Sequence, residues 1–361
     1  MPILASETHV VAGAAAPAAT PFALRLVLSC LAAFALLLSA LVFAAAVGET
    51  QIPPSVVLNT IANALWNAGR EVDPIDAGIV WNYRLSRAVV AASCGAALAV
   101  SGVVLQSLLR NALADPYLLG ISAGASSGAV SVAILGLGGG LLTLSTGAFL
   151  GALVAFALVA GLAWLAGRGS IAIILAGIAG SQLFNALTSF IVVRSANADE
   201  TRGIMFWLLG NLSGVRWEDA SLAVPVALSG LAICVLHARA LDAFAFGTDA
   251  AAALGIPVRR VQMTAIATVA LMTAVMVSLV GSIGFVGLVI PHAARLVVGV
   301  RHTVLLPSAA LMGAVFLVLA DVVSRIVIEG QVLPIGVVTA LVGAPAFAAI
   351  LIANPSFRAS R

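Results

Sequence analysis

The chain contains no lysine: all 17 of its basic residues are arginine. A P-loop places a lysine on the nucleotide phosphates, so this polypeptide carries no such ATPase site. Charged residues make up only 9% of its 361 positions, against roughly 25% in a soluble domain. The three cysteines, Cys30, Cys94 and Cys234, sit singly in apolar runs. That distribution suits small buried hydrophobes and argues against a disulfide framework or a cysteine-based metal site. Paired carboxylates, metal-ligand spacings and a nucleophile elbow are also missing, which removes the common catalytic constellations. The pI near 9.1 comes from arginines at loop ends and does not point to nucleic acid.

What remains is apolar. Hydrophobic residues account for 62% of the chain and the mean hydropathy is +1.17, the composition of an all-α polytopic membrane protein. Residues 1–21, rich in Ala, Pro and Thr, read as a disordered tail. Phe22 to Val47 is a first span, longer than a signal-peptide core. Residues 48–83 are polar, and the amphipathic run Val56 to Trp66 inside them suits the membrane surface. Further spans are expected at 88–109, 117–137, 141–166, 171–193, 220–236, 262–283, 285–299, 304–327 and 334–352, with a short tail at 355–361. Ten spans put both termini on one side and make residues 22–354 one transmembrane domain. Ten of the 17 arginines fall on the side of the termini, so the positive-inside rule places the termini in the cytoplasm.

The stretch from Arg84 to Gly124 organises the chain. Arg84 and Arg87, three residues apart, precede an apolar run long enough to cross a bilayer. The run ends in a basic, proline-containing break, Arg110 to Pro116, after which a Gly- and Ser-rich segment begins. Polar breaks at membrane depth survive only where protein or a water-filled cavity receives them, so Gln106, Asn111 and Asp115 mark a hinge that faces a pathway. A second interruption, GSIGFVGLVIPH, follows the seventh span. Interruptions at corresponding positions of two halves are a pointer to a transport pathway between inverted repeats.

These pieces resemble the iron-chelate and cobalamin family of ABC-importer permeases. The matching motifs are RLSR (84–87), GAALAVSGVVLQSLLRNALADPYLLGISAGA (95–125), FWLLGNLSG (206–214), RALDAFAFGTDAAAALGI (239–256), GSIGFVGLVIPHAARLVVG (281–299), LADVVSR (319–325) and LPIGVVTALVGAPAF (333–347). They cover most of the chain from Arg84 onward, in family order. Ala112 and Ser86 stand where the family usually has proline.

The resemblance implies a type II ABC-importer permease fold: a homodimer of ten-helix subunits in the bacterial inner membrane, above a dimer of cytoplasmic ATPases and below a periplasmic binding protein. ATP and Mg would act on the partner ATPase, with no cofactor on this chain. Arg84, Arg87 and Arg325 match the family's binding-protein contacts. Read alone, Asp321 and Arg325 form an i,i+4 pair worth a few tenths of a kcal/mol, and arginines at span ends also snorkel. Leu241, Phe244, Gly247, Asp249, Leu254 and Gly255 match the coupling element, whose apolar knobs enter a groove on the ATPase. Two short helices there would equally suit the bilayer surface, with Thr248 as the N-cap of the second. Asn111, Leu113 and Ser170 match the gate, and Ser170 alone would read as a helix N-cap. His292 invites a haem-ligand reading, but its place after Pro291 at a helix start suits a structural hydrogen bond.

The expected function is therefore ATP-driven import of a metal chelate, with the ferric siderophore first among cargoes, haem second and cobalamin third. An ion-gradient transporter is the rival from another class. It needs an intramembrane carboxylate relay, for which Asp115 and Asp321 are the candidates.

Overall fold

The computed structural model describes residues 22–48, 50–167, 169–194 and 198–353, so the two tails expected at 1–21 and 355–361 lie outside the described residues. Among the described residues the structure is helical, with one isolated bridge between Ile328 and Gln331 and no strand. In chain order the helices are α1 (Phe22–Ala46), α2 (Pro54–Trp66), α3 (Pro74–Gly78), a π-helical turn (Ile79–Leu85), α4 (Ser86–Leu108), a 3-10 turn (Pro116–Leu119), α5 (Ile121–Ala133), α6 (Leu144–Leu165) and α7 (Ser170–Val193). They continue with α8 (Ala198–Leu208), α9 (Trp217–Leu236), α10 (Ala238–Phe244), α11 (Thr248–Ala253), α12 (Val258–Val280), α13 (Val286–Val298), α14 (His302–Ile326) and α15 (Ile335–Ala353).

All ten expected spans are helical, but they are not alike. Among the described residues, six helical runs are long and apolar enough to cross a membrane, and those in α5 and α13 are shorter. The thirteen residues of α5 and of α13 rise about 20 Å at 1.5 Å per residue, short of the ~30 Å hydrocarbon core. The expectation of full spans at 117–137 and 285–299 is corrected accordingly. Pro116 packs against Gly287, which itself lies against the middle of α4 at Leu98 and Gly102. Both interrupted segments therefore begin inside the bundle. Surface helix α2 is found where the amphipathic run predicts it, and Met205–Trp207 belongs to α8.

Helix α4 is the centre. Its apolar residues carry no single wet face, and it is buried along almost its whole length, as an all-round apolar helix must be. Helices do not associate in a bilayer by hiding apolar surface from water; close packing and small side chains hold them. Gly95 meets the Gly313 carbonyl of α14 so closely that a Cβ on either residue would overlap the other helix, and Gly102 meets Gly287 of α13 in the same way. Gly124 and Gly128 of α5 likewise cross Gly147 and Gly151 of α6 backbone to backbone. In contrast, α6, α7 and α9 turn Leu165, Ile171, Phe190, Val193 and Leu236 outward. Such a surface belongs in lipid or against another subunit.

Candidate functional site: a hinge between two polar anchors

At the end of the bundle where α1 finishes and α4 begins, three arginines and one aspartate are buried together. Arg84, Arg87 and Arg325 are 8%, 8% and 9% exposed, and Asp321 is 1% exposed. Arg84 lies in the last turn of the π-helical segment, which rotates it off the face that plain α-helical spacing would share with Arg87. Its Nη1 donates to the Ala45 and Ala46 carbonyls at 3.1 and 3.0 Å, and its Nη2 to Thr50 O at 2.6 Å. Arg325 reaches the same helix end, donating to Val47 O at 2.8 Å and Ala44 O at 2.9 Å. The last carbonyls of any helix lack intrahelical partners, and at the end of α1 these two guanidiniums supply them. The positive charge also opposes the negative end of the helix dipole.

Arg87 turns the other way. Its Nε lies 2.6 Å from Asp321 Oδ1 and its Nη1 donates to Ser213 Oγ at 3.1 Å. Arg325 Nε lies 3.2 Å from Asp321 Oδ2. That pairing is electrostatic without a well-aligned hydrogen bond, and the same Nε donates to the Asp321 carbonyl at 3.4 Å. The i,i+4 pair read from the sequence is present, but as half of a buried triad closed by a residue 234 positions away. The three guanidiniums point inward to two different sets of partners.

At the opposite end of α4 sit α10 and α11. Leu241 and Phe244 are buried, at 0% and 2% exposure, in the main core. They hold α10 against the bundle, which corrects the expectation that they are the projecting knobs. The Leu241 carbonyl accepts from Ser107 Oγ of α4 at 3.2 Å. Asp242 Oδ1 accepts from the backbone N–H of His302 at 2.9 Å and lies 2.7 Å from its Nδ1. The break between the helices falls at Gly247, whose φ of 103° is a conformation that L side chains rarely adopt. Gly247 rather than Thr248 takes the N-cap position, without a side-chain bond, and Thr248 is the first helical residue. Phe246 at 80% and Leu254 at 72% are the exposed apolar residues of this element. Asp249 is exposed and Gly255 ends the second helix. Phe246 escaped the sequence reading because the five apolar residues from 241 to 246 offer two possible faces, and only packing chooses between them.

Between the two ends lies the hinge. Asn111 Oδ1 accepts from Leu113 N at 2.9 Å, and Leu113 is half exposed. Asp115 Oδ1 accepts from Tyr117 N at 2.8 Å and so caps the 3-10 turn. Tyr117 OH donates to Ile283 O at 3.0 Å and accepts from Ile283 N at 2.8 Å. Ser122 Oγ and Ser282 Oγ are 2.6 Å apart. The two interruptions noticed in the sequence therefore touch each other directly, through residues the sequence reading did not single out. Gln106 Nε2 faces the Gly287 carbonyl at 3.4 Å, the acceptor left without its i+4 donor because Pro291 has no N–H. Arg295 donates in turn to Gln106 Oε1. Ser170 is the first residue of α7, with Gly169 at the N-cap, and among the described residues no hydrogen bond joins Ser170 to Asn111 or Leu113. The hinge reaches α7 instead by backbone contact of Leu118 on Gly177.

Among the described residues no three His, Cys, Asp or Glu side chains come together as a metal site. His292 Nδ1 lies 2.8 Å from the Leu288 carbonyl, and the ring meets Phe347 edge-on. Its contacts are those of a structural histidine.

Comparison with known proteins agrees with this architecture. The profile of the FecCD transport family matches residues 35–353. A cobalamin import system permease protein, BtuC, of Halobacterium salinarum is 43% identical over 280 residues, covering 76% of this chain and 73% of its own. The vitamin B12 import system permease protein BtuC of Escherichia coli is 38% identical over 303 residues, covering 82% of this chain and 91% of its own. A solved metal-chelate type ABC transporter in an inward-facing conformation superposes with a TM-score of 0.78 at 29% identity, over 89% of this chain and 98% of that one.

Proposed function

The chain belongs to the FecCD transport family and is a multi-pass ABC-importer permease; from that premise we propose that it imports cobalamin, or a metal chelate of that class, as a twofold dimer. A periplasmic binding protein delivers the cargo at the arginine end, and two ATPases carrying ATP and Mg act on α10–α11 at the other. Both termini are then cytoplasmic, the side that ten of the 17 arginines favour, in a bacterial inner membrane.

The observation that carries the mechanism is the α10–α11 element itself. It is clamped to the bundle by Leu241, Phe244 and Asp242, yet it presents Phe246 and Leu254 away from it. Exposed apolar side chains on a firmly seated helix pair suit a groove on a partner. A nucleotide-driven change in that partner then shifts the equilibrium between inward- and outward-open bundles by its different affinity for each. The joined hinge, Tyr117 on Ile283 and Ser122 on Ser282, is the part whose opening we assign to passage, with Asn111, Leu113 and Ser170 at its mouth.

Docking of the binding protein is assigned to the arginine end, with a changed role for its arginines. Arg84, Arg87 and Arg325 shape that face by holding α1, α4 and α14 together. The exposed cations Arg70 and Arg216 have surface to offer. The rival ion-gradient mechanism loses its carboxylates: Asp321 is tied to two arginines and Asp115 caps a turn.

The order of cargoes also changes. Family frequency alone puts a ferric siderophore first and haem second; the relatives at 43% and 38% identity are named for import of cobalamin and of vitamin B12, which moves cobalamin ahead. The test is uptake of labelled cyanocobalamin by cells expressing the complete transporter, with a ferric siderophore as competitor. Saturable cobalamin uptake that the siderophore leaves untouched is expected. Uptake of the ferric chelate without cobalamin uptake would overturn the assignment.

A further inference from the structure

Helix α14 is anchored by polar contacts at both of its ends, and the anchors belong to different halves of the machine. Its first turn has no cap from its own chain neighbours: Arg301 stands at the N-cap without a side-chain bond. The missing acceptor comes from α10, where Asp242 Oδ1 takes the backbone N–H of His302 and faces its ring Nδ1. A carboxylate at a helix N-terminus is favoured by the unpaired N–H groups and by the dipole. The ring is buried and its Nε2 has no partner, so the ring proton sits on Nδ1 and is donated to Asp242.

The helix is 25 residues long, about 37 Å at 1.5 Å per residue, and its last two turns carry Asp321 and Arg325. These hold Arg87 of α4 and the Ala44 and Val47 carbonyls of α1. Midway, Gly313 and Gly95 lock α14 to α4 with no room for a Cβ, and α4 also reaches α10 through Ser107 and Leu241. Backbones packed this closely cannot slide past each other without separating, so α4 and α14 move as one body.

We propose that the α4–α14 pair carries the displacement of α10 to the opposite face, and that Asp242 and His302 are its joint. Motion of α10 pulls on the N-terminus of α14, and the Asp321–Arg325 end delivers it to the end of α1. This rests on the reading that α10–α11 meets the ATPase. Asp242 and His302 are positioning residues: they touch neither cargo nor nucleotide.

The test uses the full chain assembled with its ATPase in lipid nanodiscs, followed by hydrogen exchange with and without a non-hydrolysable ATP analogue. In the native complex the analogue should change exchange both in α10 and around Ala44–Val47. In His302→Ala, which removes the ring contact but keeps the backbone N–H on Asp242 and the Ser107–Leu241 contact, the change in α10 should persist while the change around Ala44–Val47 is reduced. Asp242→Asn keeps the side-chain size and an acceptor for the His302 N–H, serves if the first variant does not assemble, and should show a reduced distal response. A native-like distal response in either assembled variant overturns the joint. Absence of any nucleotide response in α10 of the native complex refutes the coupling reading itself, an outcome seen separately from the first.

Discussion

Replacing Asp321 by alanine is the perturbation for which the structure changes the expected size most. As a surface i,i+4 pair, Asp321–Arg325 would contribute at most about 0.5 kcal/mol. In the folded chain the carboxylate is 1% exposed and faces two guanidiniums at 2.6 and 3.2 Å, whose side chains are 10% and 8% exposed. Removing one member of a buried pair leaves uncompensated charge and costs about 3–5 kcal/mol. Two cations lose their shared anion here. Their remaining bonds to Ser213, Val47 and Ala44 bring the loss toward the lower end of that range. With a few degrees of melting temperature per kcal/mol in a chain of this size, the drop should be roughly 5–10 °C. The measurement is a thermal unfolding scan of the detergent-solubilised protein, completed as a double-mutant cycle with Arg87→Ala. Coupling in the cycle should fall between about 0.5 and 3 kcal/mol. A shift of about one degree, the value of a solvent-exposed pair, with no coupling to Arg87 would refute the buried triad.

Two further outcomes follow from burial. Phe246→Asp and Leu254→Asp should leave the protein level normal and uncouple ATP hydrolysis from uptake, whereas Leu241→Asp and Phe244→Asp should remove the folded protein; quantifying membrane-inserted protein alongside transport separates the two pairs, and the opposite pattern would return the knobs to Leu241 and Phe244. Changing Arg84 and Arg87 together to Glu should lower thermal stability as well as binding of the periplasmic protein, because the guanidiniums are buried at 8% exposure; loss of binding at unchanged stability would restore them as direct charge contacts.

Much of the architecture is legible in residue order, because a bilayer imposes one strong rule: a backbone crossing it must be helical and apolar. That rule locates the spans, the surface helix α2 and the interrupted segments at Arg110–Pro116 and Gly281–Pro291. It does not tell a full span from a half-depth one. The apolar run at 117–137 continues past the end of α5 at Ala133, and α5 is preceded by a 3-10 turn that Asp115 caps and whose Pro116 packs on Gly287.

The sequence by itself determined that this chain is a helical membrane permease, since that conclusion rests on composition, run length and ordered motifs. The tertiary structure decided what each singled-out side chain does. Arg87 meets Asp321 across 234 positions and Tyr117 meets Ile283 across 166. Gln106 serves a carbonyl freed by a proline on another helix. Leu241 faces in while Phe246 faces out. The physical reason is the same in each case. Inside an apolar bundle a polar group must find a partner or stay unpaired at a cost of several kcal/mol, and that partner is chosen by which helices touch, a property of packing that no local spacing encodes.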